Sequence, residues 1–305
     1  MKAPMNTIDP PIHVMRTLLF APASNERHLA KVFSWGADCA ILDLEDAVAT
    51  SEKVNARAAA ARALALPHTT RTFVRINGLE TRYALADIEA IAIDGLNGVV
   101  LPMVQGPDHI ATADWLLTQL ERERGLVEGA IELMPIIETA RGLDSVEAIT
   151  KRSGRVKRLA FGAGDFVNDL GMEWTPHEQE LLFARSRIAV ASRAANLAAP
   201  IDTAHVNIAD TEGLKRATRH IRALGFGGKF CIYPTQVQVV NEVFTPSDEE
   251  VHKARQIVDA FELAEADGKA AIRVDGAFVD YPIVFRASRV LENHRLAQQS
   301  PRSLL

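Results

Sequence analysis

Eight short, nearly continuous apolar runs alternate with longer amphipathic stretches along this chain. That rhythm restricts the fold more than any other feature. The runs are Thr17–Ala21, Cys39–Leu42, Thr72–Ile76, Gly98–Leu101, Ile131–Ile137, Val156–Phe161, Pro200–Asp202 and Lys229–Ile232. Strands that are apolar at successive positions are buried on both faces, as in a parallel sheet covered by helices. Helical periodicity fills the intervals, over Asn25–Trp35, Ser51–Leu64, Tyr83–Ile93, Pro107–Arg124, Gly142–Thr150, His177–Asn196 and Thr211–Ala223. Eight such units predict an α/β fold of the (β/α)8 TIM-barrel type. A doubly wound open sheet rarely needs eight, and no glycine-rich fingerprint follows the first run.

Local signals support the helices. Thr50-Ser51-Glu52 offers a capping hydroxyl and an early acid, and Thr175-Pro176 places proline in a first turn. Gly36, Gly95, Gly125 and Gly225 mark helix ends. After the eighth run come a helix over Gln236–Val243 and a charged one over Ser247–Ala266. A non-barrel segment, Arg273–Pro282, and a last helix, Ile283–Gln299, follow. The expected organisation is a catalytic barrel over 1–245 and a C-terminal helical extension over 246–305, carrying a lid or a subunit-exchange arm.

Charge and composition narrow the function classes. Thirty-four Lys and Arg against 39 Asp and Glu leave a net charge of −5 in 305 residues. That opposes sequence-independent nucleic-acid binding, which needs a basic surface. No apolar run reaches the roughly 18 residues of a membrane span, so no membrane role is expected. Val14–Ala23 is apolar and ends in Ala21-Pro22-Ala23, but Arg16 interrupts it, and it reads better as the first strand than as a signal peptide. The two cysteines, Cys39 and Cys231, cannot build a disulfide framework, and a reducing cytoplasm is expected. Both sit inside strands and read as small core residues.

The polar residues fall at the C-terminal ends of the runs, the active face of a barrel. Run two ends in Asp43-Leu44-Glu45-Asp46, run three in Arg75-Ile76-Asn77, run five in Glu138-Thr139-Ala140-Arg141, and run six enters Gly162-Ala163-Gly164-Asp165. Runs seven and eight end at Asp202 and at Tyr233-Pro234. Glu138 and Asp165 follow neighbouring strands and offer hard oxygens suited to Mg2+ completed by water and substrate oxygens. Their alternative is to cap helices or pair with Arg141. Arg75 suits a carboxylate or a developing oxyanion, or a salt bridge to Asp43 or Asp46, and the two roles are compatible. Asp43, Glu45 and Asp46 cannot all be buried and ionised, so at least one needs a base, with Lys53 and Arg57 nearest in sequence. Arg16, Lys53 and Arg57 together suggest a basic corner, a substrate-binding position that would suit the phosphates of a nucleotide-like cofactor. His28, His177 and His205 have no partner at metal-ligand spacing.

These segments resemble a known family. Arg16-Thr17-Leu18-Leu19-Phe20-Ala21-Pro22, Asp43-Leu44-Glu45-Asp46-Ala47-Val48 and Val74-Arg75-Ile76-Asn77 are similar to motifs of the citrate lyase beta-subunit family. So are Ile136-Ile137-Glu138-Thr139-Ala140, Phe161-Gly162-Ala163-Gly164-Asp165 and Gly228-Lys229-Phe230-Cys231-Ile232-Tyr233-Pro234. That family lies in the aldolase and citrate lyase superfamily, with malyl-CoA and citramalyl-CoA lyases. The resemblance implies Mg2+ on Glu138 and Asp165 and Arg75 at the substrate oxyanion. It also implies that Asp280, in the lid-like Val274–Pro282, serves as acid/base in a neighbouring subunit of a trimer or hexamer. Two departures stand out. Tyr233 occupies a position where histidine is frequent, and Tyr281 one where a smaller side chain is common. The expected activity is cleavage, or Claisen-type formation, of a β-hydroxy acid CoA thioester from a small oxo acid and an acyl-CoA. A citrate lyase beta subunit acting on a carrier-bound citryl group and a metal-dependent pyruvate aldolase remain as alternatives.

Overall fold

The structure, a computed structural model, describes residues 13–299, which divide into two compact units, 13–240 and 241–299. The first opens with β1 (Thr17–Pro22), α1 (Glu26–Leu29), β2 (Cys39–Asp43), α2 (Lys53–Leu64), β3 (Arg71–Arg75) and α3 (Ala84–Ile91). It continues through β4 (Gly98–Leu101), α4 (Pro107–Glu123), β5 (Glu132–Ile137), α5 (Ala140–Asp144), α6 (Val146–Lys151) and β6 (Ala160–Phe161). Then come α7 (Ala163–Leu170), α8 (Leu182–Ala194), β7 (Ile201–Asp202), α9 (Thr211–Ala223), β8 (Gly228–Cys231) and the start of α10 (Pro234–Phe244). The eight strands close in sequence order into a parallel barrel, β8 returning to β1 through Thr17↔Lys229. The (β/α)8 expectation therefore holds.

Period-two alternation sorts the strand residues. Leu18, Cys39, Ile41, Phe73, Val100, Met134, Ile136, Ala160 and Phe230 belong to one apolar cluster, with Phe20 packed on it. This cluster fills the lumen. Carrying the same alternation one step further along β2, β3, β5 and β6 reaches Asp43, Arg75, Glu138 and Gly162. Polar side chains thus meet at the C-terminal mouth because the strands beneath them are apolar at every second position.

Several boundaries differ from the sequence expectation. The first helix stops at Leu29, with Asn25 capping it through the His28 N–H at 3.2 Å, and a separate 3-10 turn covers Val32–Ser34. The Gly142–Thr150 helix is two, α5 and α6, parted at Ser145. The expected strand Val156–Phe161 keeps only Ala160–Phe161 as ladder. Val156 makes an isolated bridge to Leu133, and the Leu159 carbonyl accepts from Ile201. Helix α7 was not expected, since Gly162 and Gly164 made that stretch read as a turn.

In the second unit, α11 (Asp248–Ala266), β9 (Ala271–Val274), β10 (Ala277–Asp280) and α12 (Tyr281–Gln299) follow in order. A capping box opens α11: Ser247 Oγ accepts from the Glu250 N–H at 3.2 Å, and Glu250 returns a carboxylate to the Ser247 N–H at 2.9 Å. The non-barrel segment expected to carry a lid or an arm contains an antiparallel hairpin. Its turn residues, Asp275 at φ 49° and Gly276 at φ 78°, have the two positive angles of a type I′ turn, which matches strand twist. Tyr281 packs edge-on against Phe261 at 5.0 Å and donates its hydroxyl to Glu265 at 3.0 Å, tying α12 to α11. Among the described residues no helix is long and apolar enough to cross a membrane.

Candidate metal and oxyanion site

Arg75 and Asp43 are register partners at the ends of β3 and β2. The guanidinium grips the carboxylate two-pronged, Nε to Oδ1 and Nη2 to Oδ2, both at 2.7 Å. Nη1 reaches Glu45 Oε2 at 2.9 Å and Asp46 Oδ2 at 3.3 Å, and the group lies over the Phe20 ring at 4.8 Å. Asp43 also accepts the backbone N–H groups of Glu45 and Ala47 at 3.1 and 3.2 Å. Burial works against the charge on Arg75, but Asp43, Glu45 and Asp46 outweigh it and hold the guanidinium firmly protonated. The base that neutralises the acidic triad is therefore Arg75, not Lys53 or Arg57. The parallel register places it directly opposite, whereas the helical bases find other partners.

Glu138 follows β5 and is only 4% exposed. Its Oε1 accepts the Met103 N–H at 2.6 Å. Met103 sits at φ 53°, a left-handed angle that costs a non-glycine residue energy and here accompanies a donor aimed at the carboxylate. Burial, opposed by that hydrogen bond and reinforced by Glu45 and Asp165, pushes the Glu138 carboxyl up to about 8. Glu45 is likewise pushed up to about 8, by burial first and then by Asp46, Asp43 and Asp165 against Arg75. Asp165 stands in the first turn of α7, whose opening N–H, on Ala163, donates to Thr203 Oγ1 at 3.2 Å. Burial and the Asp46 charge raise its carboxyl too.

These shifts share a first cause, burial, to which the neighbouring carboxylates add, and a hard divalent cation would offset both. Gly162 makes room for the Glu138 carboxylate: a Cβ placed there would lie 2.2 Å from Glu138 Oε2. Among the described residues no group of three or more His, Cys, Asp or Glu side chains converges as a ready-made cage. Glu138 and Asp165 would offer two hard carboxylates to an ion that takes its other ligands from water and substrate, a donor chemistry that fits Mg2+.

The remaining expected residues fall elsewhere. Lys53 Nζ donates to the carbonyls of Leu44 and Glu45 at 3.0 and 3.1 Å, bracing the loop after β2 at the mouth. Arg57 pairs with Asp87 at 2.8 Å, and Asp87 in turn accepts from Asn77 Nδ2 at 2.6 Å. Arg16 precedes β1 and is therefore at the barrel's opposite end, forked onto Asp38 at 2.7 and 2.8 Å. The basic corner of Arg16, Lys53 and Arg57 does not form. Asp280 lies in the second unit, where it accepts the Ile283 N–H at 3.4 Å at the start of α12. Asp202 faces away from the lumen into a buried ion network, 2.6 Å from Lys229 and 2.8 Å from Arg185. Gln236, missed from the sequence, ties the β8 and β7 loops together, accepting from the Ile232 N–H at 2.9 Å and donating to the His205 carbonyl at 2.8 Å. Met103 was missed as well, because a backbone donor has no side-chain signature. The positive φ that aims it is invisible in a methionine.

The chain is similar to known proteins over most of its length. The family described as HpcH/HpaI aldolase/citrate lyase matches residues 16–234. The chain is 37% identical over 279 residues to the citrate lyase subunit beta of Leuconostoc mesenteroides subsp. cremoris, covering 91% of this chain and 92% of that one. It is 32% identical over 290 residues to the mitochondrial citramalyl-CoA lyase of Rattus norvegicus, covering 90% and 85%. Among solved structures it is similar to protein CitE from Mycobacterium tuberculosis in complex with magnesium, acetoacetate and coenzyme A. That likeness has a TM-score of 0.76 and 28% identity and covers 92% of this chain and 98% of that one. With its closed barrel and its match from the first strand through the last, this chain belongs to the HpcH/HpaI aldolase/citrate lyase family.

Proposed function

We propose that the chain is a Mg2+-dependent carbon–carbon lyase that cleaves, or forms by Claisen-type condensation, a β-hydroxy acid CoA thioester. What supports this is the buried Glu138 carboxylate, seated against Gly162 and within the electrostatic reach of Asp165 and the Arg75 guanidinium. Cleavage breaks the bond between the α and β carbons. The hydroxyl gives up its proton and becomes the carbonyl of an oxo acid, while the bonding pair passes to the thioester as an enolate. A proton returned to the enolate carbon completes the acyl-CoA. Glu138 and Asp165 would hold Mg2+, which would supply Lewis acidity at the hydroxy-acid end.

The chain's own groups do the rest. Arg75 stays charged and is fixed by its fork on Asp43, so it meets the developing oxyanion without reorganising, an effect worth about 10²–10³ in rate. Asp43 acts through Arg75 as its positioning residue. Lys53 stands at the mouth, where the phosphates of the CoA portion would find it; Arg16 and Arg57 have no such place. Asp280 keeps the acid/base role on the family resemblance, contributed by a second copy in a trimer or hexamer. The free, buried thiols of Cys39 and Cys231, both pushed up to about 12 by burial, suit a cytoplasmic setting.

Incubation with acetyl-CoA or propionyl-CoA, glyoxylate or pyruvate, and Mg2+, followed by mass spectrometry, tests this. The expected result is a new β-hydroxy acid CoA thioester that is lost in Arg75→Ala. No adduct from any pairing would reject it. The similarity to a citrate lyase subunit beta favours one second reading, action on a carrier-bound citryl group. Co-purification with alpha and carrier subunits would choose it.

A further inference from the structure

At the end of the barrel opposite Glu138, His13, Glu132, Lys151, Ser153, Lys157 and Arg158 line a cavity of about 340 Å3. Arg158 is only 5% exposed. Its Nη2 donates to the His13 carbonyl at 3.0 Å, while its Nε is buried without a hydrogen-bond partner. Among the described residues no ion pair includes Arg158. The nearby acid, Glu132, is engaged by Arg71 at 2.6 Å. A buried guanidinium with an idle donor and no carboxylate in direct contact is costly, and Glu132, held by Arg71, compensates it only from a distance.

The rim adds more positive charge. Lys151 closes the last turn of α6, where it offsets the negative helix end that would otherwise repel an anion, and Lys157 leads into β6. Ser153 Oγ accepts from the Arg155 N–H at 3.1 Å, which leaves its own proton free to donate. Burial lowers the proton affinity of Arg158, and Arg71 lowers it further against Glu132, so an entering anion would relieve an existing strain.

We propose that this cavity is a second ligand site that binds a small multivalent oxyanion, a phosphate group or a dicarboxylate, against Arg158, Lys151 and Lys157. The site is walled by strand beginnings and helix ends and lies outside the lyase machinery.

Isothermal titration of the full-length chain with inorganic phosphate and, separately, with succinate tests this, in metal-free buffer at constant ionic strength set with NaCl. One-to-one binding of at least one anion is expected, and which one binds identifies the source. The double variant Lys151→Ala/Lys157→Ala should weaken it at least tenfold while leaving lyase turnover unchanged. Lys53→Ala, at the catalytic mouth, should leave it intact. Arg158→Met should abolish it. Should that variant fail to fold, the lysine pair, whose side chains reach solvent, decides. Absence of binding by both anions, binding that survives the lysine double variant, or binding lost in Lys53→Ala would each overturn the proposal.

Discussion

Replacing Gly162 with alanine adds one methyl group and should disable the metal site while sparing the fold. The backbone there has φ −108° and ψ 90°, which any residue adopts, so no strain arises from the main chain. The new Cβ would stand 2.2 Å from Glu138 Oε2, 2.8 Å from its Cβ and 2.9 Å from Ile136 Cγ2. A relaxed carbon–oxygen contact is about 3.3 Å or more, so the carboxylate must retreat by roughly 1 Å. Its other oxygen is held by Met103 at 2.6 Å, and retreat strains a charge-assisted bond worth about 1.5–3 kcal/mol. Metal–ligand distances tolerate only about 0.2 Å. Mg2+ affinity should therefore fall by about 100-fold or more, beyond the usual effect of losing a supporting contact. Overpacking costs about 1–3 kcal/mol, so circular dichroism should still show a cooperative, slightly lowered melt. Gly164→Ala is the control. Its Cβ would meet nothing nearer than the Trp174 ring at 3.9 Å, and Mg2+ binding should be unchanged. Calorimetric Mg2+ affinity in Gly162→Ala within twofold of wild type would refute this reasoning.

Three further outcomes follow from the same geometry. Glu138 and Glu45 are raised from 4.5 to about 8, so the native state keeps protons that the unfolded chain has released. Metal-free stability should fall as pH rises from about 4.5 to 8. Apparent Mg2+ affinity should climb by up to about tenfold per pH unit below 8 and then level off, and a flat profile in calorimetry across pH 6–8 would contradict the shifts. Asp43→Asn removes one acceptor of the Arg75 fork and should lower the urea unfolding free energy by about 3 kcal/mol; a loss under 1 kcal/mol would mean Glu45 and Asp46 hold Arg75 alone. Asp202→Asn leaves the buried Lys229 without its carboxylate, while Arg185 keeps Glu178 at 2.8 Å, and should cost about 3 kcal/mol, measured the same way, with near-neutrality counting against the network.

The barrel was legible because burial on both faces makes each strand apolar throughout. Gly98–Leu101 and Thr211–Ala223 match the structure residue for residue. The mouth was legible for a related reason, since Asp43, Arg75 and Glu138 break an apolar run at its C-terminal end. Arg16 misled because closeness to a strand says nothing about which end of it a residue occupies; standing before β1, it had to be at the opposite end. The salt bridge from Arg75 to Asp43 and Asp46 was legible from the neighbouring strand ends, whereas Lys53 and Arg57, chosen as bases for the triad by sequence distance, found other partners. The hairpin was readable in principle, for Asp275-Gly276 between alternating residues is a strong turn signal. Helix α7 was hidden by its glycines, although Phe166, Val167 and Leu170 carry helical spacing. The Met103 donor and the Gln236 brace act through backbone groups, and only coordinates reveal them.

Crystals grown with Mn2+ in place of Mg2+ give the most direct measurement, an anomalous difference map of the barrel mouth. Coordination by the paired acids predicts one strong peak within about 2.2 Å of a carboxylate oxygen from both Glu138 and Asp165, lost in Glu138→Gln. A map with no peak there, or with the ion held by other residues, would contradict it.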